Sequence, residues 1–184
     1  MTEMSIATHL AGSGFGPDMI VETEEGPLPF EWIVPGHRVL TRDNGFQPVL
    51  WTGATHAKRL AGAVVIRAGA LGEGCPAEEA VVAPGHLLLV RHPALELLFG
   101  FPEVLVRARD LASQGRIASV LPPPEFELLH VAFAEPQIVE TLGLVSATPD
   151  IVGRMPRIMV LDQTETRLVR DALDMSPLAL RRSA

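Results

Sequence analysis

Two short apolar segments separated by tight turns make up AGSGFGPDMIVETEEGPLPFEWIVPGHRVLTRDNG, residues 11–45. A turn at 15–17 precedes the first segment, an acidic turn follows it, and a Pro-Gly-His corner at 35–37 introduces the second. The second segment ends at Asp-Asn-Gly, 43–45, and Asn-Gly favours a hairpin because both residues tolerate positive φ. This part of the chain therefore predicts short antiparallel strands joined by tight turns.

Glycines and prolines also interrupt the apolar runs in the rest of the chain. With 16 glycines and 16 prolines in 184 residues, most apolar runs are too short for long helices and suit strands. The predicted strands lie at 19–22, 37–41, 47–53, 64–68, 80–83, 86–91, 104–107, 128–133 and 137–139. Apolar residues recur at helical spacing near the C-terminus and predict one helix near 162–175. We therefore expect an all-β fold with a short C-terminal helix.

The length suits one domain with short additions. We predict an N-terminal extension at 1–12, a β domain at 13–150 and a C-terminal appendage at 151–184 that contains the helix. No internal repeat or low-complexity tract is visible in the chain.

The composition disfavours several classes of protein. Hydrophobic residues make up 47% of the chain, yet its most apolar stretch, 81–106, contains charged residues and histidines that do not suit a bilayer span. The formal net charge of -7 disfavours a nucleic-acid-binding surface. The first residues lack the pattern of a signal peptide, and the single cysteine, Cys75, cannot form an internal disulfide. We expect a cytoplasmic protein without a membrane span, and export by a route without a cleaved signal stays open.

Four stretches share one further pattern of turns and strands. They are GFGPDMIVETEEGPLPFEWIVPGHRVLTRDNGFQPVLWTG, VVIRAGALGEGCPAEEAVVAPGHLLLV, ELLFGFPEVLVRARDL and ELLHVAFAEPQIVETLGL, and a weaker stretch, PRIMVLDQTETRLV, extends toward the C-terminus. In their order and spacing these stretches resemble the Hint (hedgehog/intein) domain family, specifically its bacterial branch. The resemblance covers 13–169, nearly the whole chain.

The resemblance implies both a fold and a chemistry. The implied fold is an all-β horseshoe of long, bent hairpins related by a pseudo-twofold axis. In active members, a cysteine at the first residue of the domain attacks the carbonyl before it and converts that peptide bond into a thioester. A histidine in a Ser/Thr-x-x-His element assists by contacting the scissile amide. Water, a second nucleophile or cyclisation of an asparagine at the far end then resolves the thioester.

The opening motif of the family departs from its pattern in this chain. Active members begin Cys-Phe-x-Pro-Gly-Thr, whereas residues 14–19 are Gly-Phe-Gly-Pro-Asp-Met. Phe15 and Pro17 match the motif. Gly14 occupies the position of the nucleophile and has no side chain, so the resemblance implies a domain that lacks its attacking group.

Two later motifs are also incomplete. The Ser/Thr-x-x-His element becomes Ala83 to His86, which keeps the histidine and loses the hydroxyl. In the late His-x-x-Phe-x-x-His strand, His130 and Phe133 match, and Pro136 replaces the second histidine. The resemblance therefore implies that the polar positions of the active site have degenerated while the scaffold is kept.

Ser13 and His86 are the candidate catalytic residues that remain. Ser13 lies one residue before the motif position, and a slip of one residue turns each side chain of a strand to the opposite face. A serine hydroxyl is also a weaker nucleophile than a thiolate unless a base activates it. We therefore interpret Ser13 as part of a polar turn and His86 as a buried structural histidine. A Ser13 Oγ within about 3 Å of the imidazole would favour catalysis instead.

The remaining chemically notable residues have simpler interpretations. His130 has apolar neighbours in sequence and predicts a core strand. Cys75 lies in a turn whose acidic neighbours would raise its pKa, which favours an incidental loop cysteine. Asn44, the only asparagine, belongs to a hairpin near the N-terminus, so asparagine cyclisation at the C-terminal end is chemically impossible. No zinc-type His/Cys spacing is present, and we predict no metal.

Together these observations predict a Hint-fold protein that has lost autoprocessing and acts as a binding or structural module. The expected partner is a protein, by analogy with family members that accompany large exported proteins. No cofactor, nucleic acid or small-molecule ligand is implied. One alternative is a slow autoproteolytic domain that cleaves before Ser13 by an N-to-O acyl shift assisted by His86. Another is a metal-dependent hydrolase that reuses the same cleft.

Overall fold

The computed structural model describes residues 13–113, 115–141 and 143–174. The strands are β1 (Ile20–Thr23), β2 (Gly26–Pro29), β3 (Arg38–Thr41), β4 (Gly45–Pro48), β5 (Trp51–His56), β6 (Ala63–Ile66), β7 (Ala80–Val82), β8 (Leu87–Arg91), β9 (Glu103–Arg107), β10 (Ile117–Val120), β11 (Glu127–Ala132), β12 (Gln137–Thr141) and β13 (Leu144–Thr148). The α-helices are α1 (Pro93–Phe99), α2 (Ala108–Leu111) and α3 (Gln163–Asp174), and two short 3₁₀ helices lie at Phe30–Trp32 and Ala57–Leu60. The predicted all-β fold with a C-terminal helix is confirmed.

The strands form three groups, and neighbouring strands within each group pair antiparallel. An eight-stranded sheet has the order β2-β1-β3-β12-β13-β8-β9, with β4 paired to β3. Strands β10, β6 and β7 form a second sheet, and β11 pairs with β5. The segment just before β1 connects these last two groups, because Phe15 bridges both Val82 of β7 and Leu129 of β11. This bridging position places Phe15 between β7 and β11.

One predicted strand is wrong in its extent. The sequence predicts a single strand at 47–53, whereas the chain forms β4 up to Pro48 and β5 from Trp51. Between them the backbone changes partners, since Val49 N donates to His37 O and Leu50 N donates to Ala132 O. The chain therefore passes from one sheet to another at this point.

The core is built from the inward faces of these strands. Phe15, Leu88, Val106 and Phe133 are essentially inaccessible to solvent. Because side chains of a strand alternate between its two faces, residues at every second position reach this core. The ring of Phe15 stacks on Phe30 with centroids 4.1 Å apart, which fixes the start of the domain against the core.

Helix α3 begins with a reciprocal capping box. Glu165 N donates to Asp162 Oδ1 at 2.8 Å, and Asp162 N donates to Glu165 Oε2 at 2.9 Å. Val169 on its inner face is fully buried, and the helix packs against α1 and α2. The predicted one-sided helix thus covers one end of the β body.

Some predictions concern residues outside the described part of the chain. The predicted extension at 1–12 and the end of the predicted appendage, 175–184, lie outside the described residues. The boundaries at 13, 150 and 151 remain predictions. Among the described residues, none of the helices has the length and apolar character needed to cross a bilayer.

Candidate functional site

The backbone of residues 13–16 runs between β7 and β11. Phe15 exchanges two backbone hydrogen bonds with Leu129, each 2.8 Å long. On the other side, Gly16 N donates to Val81 O at 2.7 Å, and Ala83 N donates to Gly14 O at 2.9 Å. These bonds on both edges fix the position of the Ser13–Gly14 peptide.

His86 accepts hydrogen bonds from both residues of that peptide. Gly14 N donates to His86 Nδ1 at 3.2 Å, and Ser13 Oγ lies 3.1 Å from the same nitrogen. Because a backbone N–H can only donate, Nδ1 is the acceptor and the proton of the neutral ring is on Nε2. The Ser13 hydroxyl therefore donates to His86. The structure brings together the two residues that the sequence singles out.

His130 of β11 also lies close to this peptide. Its Nε2 lies 3.0 Å from Thr55 Oγ1 on the neighbouring strand β5. A contact with the Ser13 backbone partly opposes the effect of burial on the pKa of His130. Two imidazoles thus lie beside one peptide bond. The apolar neighbours of His130 in sequence predict only a residue of a core strand, whereas the structure also places it at the candidate site.

Burial keeps both imidazoles neutral. It lowers the pKa of His86 to about 3, with a further contribution from the nearby His130. Burial likewise lowers the pKa of His130 to about 4. A general base works best when its pKa is near the operating pH, so His86 is a weak base for activating Ser13 at neutral pH.

The position of the expected nucleophile is closed around glycine. Gly14 has a φ of 152°, which disfavours an L side chain. A Cβ added there would lie 3.0 Å from His130 Cε1 and 3.1 Å from Leu128 Cβ. Both distances are shorter than ordinary van der Waals contact, so the neighbours would have to move by a few tenths of an ångström. The site is therefore packed for a residue without an attacking atom.

The other motif positions have structural roles. Ala83 is fully buried and contributes its backbone N–H to Gly14, but it offers no hydroxyl. Phe133 is part of the core. Pro136 lies between β11 and β12 and supplies no imidazole. None of these three residues adds a group that could transfer a proton to or from the Ser13–Gly14 peptide.

Cys75 belongs to a different part of the fold. Its thiol is half-buried and donates to Gly143 O at 3.0 Å. Burial raises the pKa of Cys75, and the carboxylate of Glu140 raises it further. The direction agrees with the sequence interpretation, but the main cause is burial, and the acid responsible is Glu140 of β12 instead of the sequence neighbours.

The sequence gives little indication of some residues near the peptide. Thr55 contacts His130 across 75 positions of sequence, and Leu128 borders Gly14 only because β11 pairs with the N-terminal segment. No signal in a single sequence marks either residue.

Within the described residues, no group of three or more His, Cys, Asp or Glu side chains is arranged to hold a metal ion.

Comparison with known proteins gives one family match and several structural matches. A family model described as the Hint domain matches residues 13–148. The chain is similar to the crystal structure of the gp41-1 intein, with 14% identity, a TM-score of 0.47, and coverage of 73% of this chain and 98% of that chain. For the MchDnaB-1 intein, the identity is 11% and the TM-score 0.44, with coverage of 73% of this chain and 98% of that chain. For a splice-inactive variant of the AceL NrdHF class 3 split intein, the identity is 13% and the TM-score 0.46, with coverage of 74% of this chain and 97% of that chain. No curated protein matches the chain.

Proposed function

The chain belongs to the Hint domain family, and from this premise we propose that it is a member that no longer cleaves itself and acts as a binding or structural module. One observation carries the proposal. The residue whose N–H engages His86 is Gly14, and Gly14 has no side chain. In the family chemistry, the attacking atom and the scissile amide nitrogen belong to the same residue, so here the peptide is held but nothing attached to that residue can attack it.

The packing of the site supports the proposal. A recently lost side chain would leave a cavity at its former position, whereas His130 and Leu128 crowd the position that a Cβ on Gly14 would take. The low pKa of His86, about 3, also disfavours proton abstraction near neutral pH. The backbone N–H and C=O groups of Gly14 and Phe15 all have hydrogen-bond partners. This combination suits a domain selected for its folded shape.

The partner we propose is another protein, and we place the domain in the cytoplasm, where a single free thiol is compatible with reducing conditions. The test is purification of the chain from its natural source under gentle conditions. We expect a full-length chain in stoichiometric complex with one partner, and the same complex with His86→Gln. Recovery of a shortened chain would contradict a role that needs no catalysis. So would a complex that forms with the native chain and is lost with His86→Gln.

A second function is favoured by the 3.1 Å contact between Ser13 Oγ and His86 Nδ1. In this alternative, Ser13 Oγ attacks the carbonyl carbon of Gly12, its proton passes to His86, and the Gly12–Ser13 C–N bond breaks. The proton then moves to the released Ser13 amine, and water hydrolyses the ester, which frees residues 1–12. The contact satisfies the distance that the sequence interpretation requires for catalysis.

Two features make this second function the weaker one. The backbone nitrogen that contacts His86 belongs to Gly14, whereas the leaving nitrogen would be that of Ser13. His86 also stays neutral and weakly basic. Intact-mass measurement over several days at pH 7.5 separates the alternatives. A native chain that shortens while Ser13→Ala stays intact would favour slow autoproteolysis, and retention of the full-length mass by both chains favours the non-cleaving module.

A further inference from the structure

The outer face of the sheet has a groove where β1, β3 and β12 meet. Its volume is about 590 Å³, and its lining includes Ile20, Glu22, Leu40, Glu140, Ala77 and Gly143. The first four residues come from the three strands, and the last two close the groove from the loop before β7 and the turn after β12. We refer to the groove that these six residues line as the junction groove. It lies on strands other than those that hold the Ser13–Gly14 peptide.

Two carboxylates line this groove at the junction of three strands. Val21 of β1 pairs with Thr141 of β12, and beyond this single pair both strands pair with β3 instead. Glu22 and Glu140 follow this pair on their strands and line the groove together with Leu40 of β3. Within residues 13–113, 115–141 and 143–174, neither carboxylate forms an ion pair.

The surroundings of the pair combine negative charge with apolar surface. The Glu140 carboxylate lies close enough to Cys75 to raise the pKa of its thiol, and Cys75 lies two residues before Ala77 in the loop that borders the groove. The exposed loop also carries Glu78 and Glu79 beside Ala77. On the apolar side, Leu40 is 41% exposed. The groove thus offers both an uncompensated charge and an uncovered aliphatic surface.

The basic residue at the edge of the groove does not compensate this charge. Arg42 Nε donates to Asp43 at 2.9 Å, and Arg42 Nη1 donates to Glu103 at 3.0 Å. Its guanidinium is therefore bound to carboxylates outside the groove. Among the described residues, Arg42 therefore leaves Glu22 and Glu140 available for an added cation.

We propose that the junction groove binds a lysine or arginine side chain of a partner protein. The methylene groups pack on Ile20 and Leu40, and the cation lies between Glu22 and Glu140. A bare metal ion would leave the aliphatic surface uncovered, and such a side chain satisfies both features because its stem is apolar and its end is charged. The inference rests on the proposed function as a binding module, since it names the class of side chain that the module recognises.

The test is a titration of the full chain followed by ¹⁵N–¹H correlation spectra. The probe is the blocked tripeptide acetyl-Gly-Lys-Gly-amide, and the matched control replaces its lysine with norleucine, which keeps the aliphatic stem and removes the charge. We expect saturable shifts of the amides of Glu22, Leu40 and Ala77 with the lysine peptide and none with the norleucine peptide. Equal shifts with both peptides, or no shifts in the groove, would overturn the inference.

Substitutions in the groove give a second measure. We expect the double variant Glu22→Gln/Glu140→Gln to weaken binding of the lysine peptide at least tenfold. Glu25→Gln, an exposed acid in the neighbouring turn, should leave the affinity unchanged. Unchanged binding in the double variant overturns the inference, and so does saturable binding of Mg²⁺ at the same amides. If the lysine peptide fails to bind while the chain keeps its full mass, only this inference fails, whereas a shortened chain contradicts the proposed function itself.

Discussion

Acidification from pH 7.5 to pH 5 should strongly destabilise the folded protein, because His86 and His130 are buried without charge. The pKa of each histidine is lower in the folded state, about 3 for His86 and about 4 for His130, than the value near 6.5 of an unfolded chain. Between pH 6.5 and 4 the unfolded chain therefore binds more protons, and stability falls as the pH falls. The stabilising effect of the neutral rings is fully present above pH 6.5.

The size of the effect follows from the two pKa differences. At pH 5 an unfolded histidine is almost fully protonated and each buried ring is almost neutral, so each site costs about 2 kcal/mol relative to pH 7.5. Two sites give about 4 kcal/mol, a large part of the roughly 5–15 kcal/mol by which domains are stable. Asp150, whose pKa is lowered, acts at lower pH and does not contribute in this window.

Urea unfolding at pH 7.5, 6 and 5, followed by circular dichroism, measures this loss. We expect His130→Gln to remove about half of the pH dependence. A free energy of unfolding that is the same at pH 7.5 and pH 5 would refute the reasoning. So would a loss on acidification that persists in full when both His86 and His130 are replaced by glutamine.

Three further substitutions test other parts of the account. Gly14→Ala should destabilise the fold by about 1–3 kcal/mol more than Gly36→Ala, because both positions have positive φ but only Gly14 is crowded; equal midpoints of thermal unfolding would contradict this. Asp150→Asn should cost about 1–3 kcal/mol, since Asp150 Oδ1 accepts from Val152 N at 3.0 Å and Arg154 N at 2.8 Å; the exposed Asp43→Asn is the control, and a similar small effect for both would argue against it. The native carboxylate should also lose its contribution as acid lowers the pH through its reduced pKa, a loss that Asp150→Asn should not show. Thr55→Val removes the hydroxyl partner of His130 and should lower stability by about 1 kcal/mol in urea unfolding, and no change would mean that the contact is not formed in solution.

Apolar runs flanked by turns that contain Gly or Pro could be predicted as strands from the sequence, as for β3, β7 and β8. Strand β2 could not, because its sequence is Gly-Pro-Leu-Pro and proline disfavours the ladder. Helix α1 lies within the most apolar stretch, where length alone does not separate helix from strand. Its ends carry local signals nonetheless: Pro93 in the first turn, His92 accepting from Ala94 N, and Gly100 in the left-handed conformation after the last turn.

The candidate site could be predicted only where a motif marks it. Ser13 and His86 follow from the family pattern, and the structure brings them into contact. The role of His130 beside Gly14 and its bond to Thr55 depend on how β11 pairs with its neighbours, and this register is absent from a linear pattern. The pKa of His86 could not be predicted either, because it results from complete burial next to a second imidazole.

Intact mass of the purified full chain after incubation with hydroxylamine tests the central claim most directly. Hydroxylamine cleaves an ester as soon as it forms, so even a slow acyl shift in the N-terminal segment accumulates as a shortened product. At neutral pH, where hydroxylamine attacks esters much faster than the Asn44-Gly45 bond, we predict that the native chain keeps its full mass of 19.8 kDa and yields no product that begins at residue 13, as for Ser13→Ala. A product lacking residues 1–12 that forms from the native chain and not from Ser13→Ala would contradict the claim that this domain has lost its self-cleavage.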